Sequence, residues 1–92
     1  MPDKRERPVS ELRAGERVQA TITSHQPWGF IATIDGYEPV GASLDVIRRG
    51  SEPGVSRLAH SLPAVGTTIG LVVGEVRRWD HAPWIWVDLT SG

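Results

Sequence analysis

Alternation of apolar and polar residues with period two runs through most of this chain. Val18, Ala20 and Ile22 alternate with Gln19, Thr21 and Thr23, which predicts a strand with one buried face. Ser24-His25-Gln26-Pro27 interrupts the run. It resumes from Trp28 to Ile34, with Phe30, Ala32 and Ile34 on the inner side and Trp28 at the bend. Asp35-Gly36 then signals a tight hairpin turn, since both residue types tolerate positive φ. Val40, Ala42 and Leu44 form a third alternating run, with Pro39 at its start, where a missing N–H does least harm. Residues Arg49 to Ala64 carry no strand signal, but Val55, Leu58 and Leu62 stand at i, i+3 and i+7. That spacing predicts a short helix near 55–61, stopped by Pro63. Beyond Gly66, Ile69, Leu71 and Val73 alternate, the phase slips at Gly74, and Val76 resumes it. A glycine at a phase slip predicts a β-bulge that bends the strand. In the last run Ile85, Val87 and Leu89 share one face, and Trp84, Trp86 and Asp88 the other.

The prediction is therefore an all-β fold of five strands with a little helix between the third and fourth. Ser10 to Ala14 adds at most one helical turn before Gly15. Strands with apolar inner faces and polar or aromatic outer faces suit a closed barrel, because closure leaves no exposed sheet edge. Val18, Ala20, Ile22, Phe30, Ala32, Ile34, Leu71, Val73, Val87 and Leu89 are the expected inward set. Met1 to Pro8 is charged and lacks apolar periodicity, so residues 1–8 are expected to form a flexible tail and 9–92 a single domain.

The order of strands, with helix or loop between the third and fourth, is that of the five-stranded OB-fold, and the residues resemble an S1-type RNA-binding domain. Leu12-Arg-Ala-Gly15-Glu-Arg-Val18-Gln-Ala20-Thr-Ile22 is similar to the family's opening strand. Pro27-Trp28-Gly29-Phe30-Ile31-Ala32-Thr33-Ile34 resembles its aromatic-glycine-x-aromatic segment. Val40 to Ile47 resembles its third strand, best at Leu44 and Ile47. Pro63-Ala-Val-Gly66 resembles the lead into strand four, and Leu89-Thr90 the close. The likeness covers roughly residues 9–90 and lies in the ordered set of motifs rather than in any one. It implies single-stranded RNA as ligand, bound on the outer face of strands one to three. Trp28 matches the family's first base-stacking position. The second falls on Ile31, the outward histidine of strand three falls on Ser43, and an arginine of the last strand falls on Trp86. With strand five expected beside strand one, Trp86 would share the face of Trp28.

Charge qualifies that reading. Ten Lys and Arg stand against eleven Asp and Glu, for a net charge of −1. The first 17 residues carry +1 and residues 18–92 carry −2, so a site for nucleic acid must be a local patch. Arg48-Arg49 at the end of strand three are candidates for phosphate contact. Arg77-Arg78 stand close to Glu75 and Asp80 and read as solvated, ion-paired arginines. The absence of cysteine excludes disulfides, Cys-zinc sites and thiol catalysis. His25, His60 and His81 fall in expected loops or turns without metal-ligand spacing. Gly41-Ala-Ser43 lacks the second glycine of a nucleophile elbow, and no phosphate-binding glycine loop is present. These features point away from an enzyme, a metal or a small-molecule cofactor. No apolar stretch reaches the length of a membrane span, so a cytoplasmic protein without membrane contact is expected.

Two functional expectations remain. In the first, Trp28 and Trp86 stack on bases of single-stranded nucleic acid, Ile31 and Ser43 line the surface, and Arg48 and Arg49 meet phosphate. In the second, the face docks a protein, since paired exposed tryptophans also suit interaction hot spots. The four tryptophans, three of them at 79, 84 and 86, fit either reading, and any one of them can equally cover the barrel mouth or a loop. A positive surface around Trp28 marks the first reading, and a neutral apolar one the second.

Overall fold

A computed structural model describes residues 7–39, 41–78, 80 and 85–91. A 3-10 turn, Val9–Glu11, precedes β1 (Arg17–Gln26), β2 (Gly29–Ile34), β3 (Ala42–Asp45), α1 (Pro53–His60), β4 (Thr68–Arg78) and β5 (Ile85–Thr90). The strands close into a mixed barrel in the order β1-β2-β3-β5-β4, with β4 returning to β1. All pairings are antiparallel except β3 with β5, which is parallel. This is an OB-like barrel with its helix between the third and fourth strands.

All ten residues expected to face inward are buried. Phe30, Val87 and Leu89 are fully inaccessible, and Ala42, Leu44 and Val55 of α1 join the same core. Val9 and Leu12 extend it from the N-terminal segment. Each such aliphatic or aromatic side chain contributes about 1.5–3 kcal/mol on burial, so the barrel interior supplies most of what holds this small domain together.

Two long strands must coil around that core, and each does so at an irregularity. The register of β4 against β5 shifts between Val73 and Glu75, which places the expected bulge at Gly74. That of β1 against β2 shifts between Ile22 and Ser24. The second bulge corrects the expected interruption: β1 bends at Thr23 and continues to Gln26, with Ser24, His25 and Gln26 paired to Ile31, Phe30 and Gly29. The turn at Asp35-Gly36 forms, with Tyr37 N–H donating to Ile34 O at 3.1 Å; β3 starts at Ala42, and Val40 of the expected third run lies outside the described residues. The expected helix is present and starts two residues earlier, because Pro53 suits a first helical turn whose N–H has no partner to lose. Of the expected tail, residues 1–6 lie outside the described residues. Arg7 pairs with the barrel through a parallel bridge to Tyr37.

One topological expectation is corrected. β5 does not neighbour β1; it lies between β3 and β4. The parallel β3–β5 pairing closes the barrel instead, and it sets Trp86 beside Ser43 of β3.

Candidate functional site

Outer-face residues of β3, β5 and β4 meet the turn that precedes β2 in an open cleft of 430 Å³. Trp28, Ser43, Asp45, Ile47, Arg48, Arg77, Trp86 and Asp88 line it. Its size falls within the roughly 300–1,000 Å³ of clefts that seat small ligands.

The two indoles are held by different means. Trp28 sits in the turn between β1 and β2, half-buried, and its carbonyl accepts the Val46 N–H at 2.8 Å, which ties the turn to the end of β3. Trp86 precedes the Val87–Ala42 pair, so its side chain lies over Gly41. A Cβ at Gly41 would collide with the six-membered ring, so this position has to lack a side chain. The indole N–H donates to Ser43 Oγ at 2.8 Å. Ser43 points outward from β3 yet is buried, because Trp86 covers it.

Charge in the cleft is organised around Asp88, an outward residue of β5 whose side chain is only 6% exposed. Arg49 Nη2 donates to Asp88 Oδ2 at 2.8 Å, Arg48 Nη1 lies 3.5 Å from the same oxygen, and Arg77 Nη2 lies 4.0 Å away. Arg49 also pairs with Glu52 at 3.0 Å. Its guanidinium reaches Asp88 over Gly74, where a Cβ would press on Nη2, so the bulge glycine makes room for the ion pair. The hydrogen bond to Asp88 raises Arg49 above its already high ordinary value. Arg49 Nε is buried without a hydrogen-bond partner among the described residues, which costs about 1–3 kcal/mol against the pair. Glu52 lies below the ordinary carboxylate value because the Thr90 hydroxyl donates to it and Arg49 faces it.

The six residues expected at the site separate into groups. Trp28, Ser43, Arg48 and Trp86 converge on the cleft. Ile31 is partly exposed opposite Ser43 in the β2–β3 ladder but does not line it. Arg49 is engaged by Asp88 and Glu52, with its side chain 18% exposed. The cleft also lies further round the barrel than the face expected on strands one to three, and no β1 residue lines it. Trp79, His81 and Trp84 lie outside the described residues.

Sequence reasoning passed over Asp88, Asp45 and Arg77 as parts of the site. The available signal was Asp88 itself, an acid in the middle of an apolar strand, where a carboxylate needs cationic partners. Asp45 Oδ1 accepts the N–H groups of Ile47 and Arg48 at 2.9 and 2.8 Å and so shapes the turn that presents Arg48. Within the lining, two arginines face two aspartates, so the cleft is close to neutral rather than positive. Ile47 stands in it 72% exposed.

His25 Nε2 donates to the Pro63 carbonyl at 2.7 Å, and among the described residues no group of three or more His, Cys, Asp or Glu is placed to hold an ion. Nor is any helix among them long and apolar enough to cross a membrane. No protein-family model matches the chain, and no curated protein is similar to it in sequence.

Proposed function

We propose that this barrel binds single-stranded nucleic acid, RNA in the first place, with bases seated in the cleft between Trp28 and Trp86. The observation that carries the reading is the convergence of two indoles and two arginines in one open cleft on an OB-like barrel. Aromatic faces accept any base, and each stacked base contributes about 1–3 kcal/mol. The S1-like motifs of the chain support RNA over DNA, with Trp28 at the stacking position. Because the cleft is near neutral, stacking contributes most of the affinity and phosphate contacts from Arg48 and Arg77 contribute little. Titration with single-stranded RNA, single-stranded DNA and duplex at low salt tests this. Binding of single strands with RNA preferred is expected, and no binding of any of them rejects it.

One observation favours a second reading. Ile47 is a large aliphatic residue exposed beside two tryptophans in a neutral cleft, a composition that suits a protein hot spot. On that reading the barrel docks a protein partner or a second copy of itself through the same cleft. Concentration-dependent sedimentation of the chain without RNA detects the self-docking form.

A further inference from the structure

We infer that Glu75 stands in for a phosphate of the bound strand and acts as an internal competitor for the cleft. The inference rests on the nucleic-acid reading above. Two carboxylates face the cleft arginines from β4 and β5, and they differ in what holds them. Asp88 is buried and has Arg49 as a close partner, so it stays where it is when a ligand arrives. Glu75 is 53% exposed, and its Oε1 lies 3.4 Å from Arg77 Nε and 3.9 Å from Arg48 Nη2. These are the two guanidinium groups that line the cleft.

One carboxylate oxygen therefore bridges the two cations that a phosphodiester would need. Exposed ion pairs of this kind are worth little, because water screens them and long side chains lose freedom in holding them. A phosphodiester oxygen can take the place of Glu75 Oε1 at small cost. The displaced carboxylate remains within reach of the incoming strand and repels it. The competition sets affinity and conceals part of the electrostatics: the arginines exchange one anion for another, so little net charge is neutralised when RNA binds.

The test compares wild type, Glu75→Gln and Glu11→Gln in titrations with a single-stranded oligouridylate over a range of salt. Glu11 carries the same charge outside the cleft, paired with Arg7. Glu75→Gln keeps the shape of the side chain and removes the competitor, so affinity at low salt rises about three- to tenfold. Its log–log salt slope steepens toward about −1.4, the value for two phosphates at about −0.7 each, while wild type is shallower. Glu11→Gln leaves both unchanged. Equal or weaker binding by Glu75→Gln, with wild type binding measurably, overturns the inference and leaves the nucleic-acid reading intact. An equal gain in Glu11→Gln also overturns it, since the effect is then one of net charge. Failure of wild type and Glu75→Gln alike to bind at low salt overturns the nucleic-acid reading and this inference with it.

Discussion

The indole N–H of Trp86 donates to Ser43 Oγ at 2.8 Å, directly beside the short parallel pairing of β3 with β5. One bond thus orients a cleft indole and covers a polar residue of the barrel wall. Ser43→Ala leaves a part-buried N–H without its acceptor and destabilises the fold by about 1 kcal/mol. Gly41→Ala acts more severely on the cleft, because its methyl group takes the place of the ring. Denaturant unfolding checks the first effect. The Trp86 indole N–H resonance, assigned with Trp86→Phe, moves in both variants.

The Arg49–Asp88 pair predicts a different kind of loss. Asp88→Ala strands Arg49 in a largely buried position with Glu52 as its remaining partner among the described residues, and leaves Arg48 and Arg77 with Glu75 as their shared carboxylate. Breaking one side of a buried pair costs roughly 3–5 kcal/mol; the lower end applies here because Glu52 remains. Urea unfolding of Asp88→Ala and Asp88→Asn measures it, and the amide recovers part of the loss by keeping an acceptor oxygen.

Much of the barrel was legible along the chain because period-two alternation is a local signal. Ala32 lies between the partly exposed Ile31 and Thr33, and Val87 between the outward Trp86 and Asp88, and both are buried. Gly74 marked its bulge because the phase of β4 breaks there. The β1 bulge was hidden, since Ser24 to Gln26 are polar on both faces and look like a loop when their partners on β2 are not in view. The place of β5 was hidden too: a short strand's own pattern does not say whether it pairs with β1 or β3. The same holds for Arg49. Next to Arg48 it reads as one of a basic pair, but its partner Asp88 is 39 residues away, and only barrel closure brings them together.

Glu52 links α1 to β5 and gives the fold a dependence on pH. Its value is lower in the folded chain than in the unfolded one, chiefly through the hydrogen bond from Thr90 and then through Arg49. The unfolded chain therefore binds the proton more readily in the window between the two values. The contribution is fully present above the ordinary carboxylate value and is lost as pH falls through the folded value. Tm of wild type should drop over that acid range, and Glu52→Gln should lose this part of the dependence. Glu52 is partly exposed, so the drop is small.

Trp28 and Ile47 separate the two readings of the cleft. Both line it, but stacking on bases needs the indole, whereas protein docking draws on the exposed aliphatic surface as well. On the nucleic-acid reading Trp28→Ala weakens RNA binding by about 1–3 kcal/mol. Its stability falls by less than the roughly 3–5 kcal/mol of a fully buried tryptophan, because Trp28 is only half-buried. Ile47→Ser, which removes apolar surface and no π-face, changes RNA affinity by no more than about twofold, under half a kcal/mol. On the docking reading the order reverses: Ile47→Ser abolishes self-association or partner binding at least as effectively as Trp28→Ala. RNA titration, sedimentation and denaturant unfolding on the same two variants decide between them. A Trp28→Ala protein that stays folded and binds RNA as wild type does removes Trp28 from the site and rejects the assignment of this cleft.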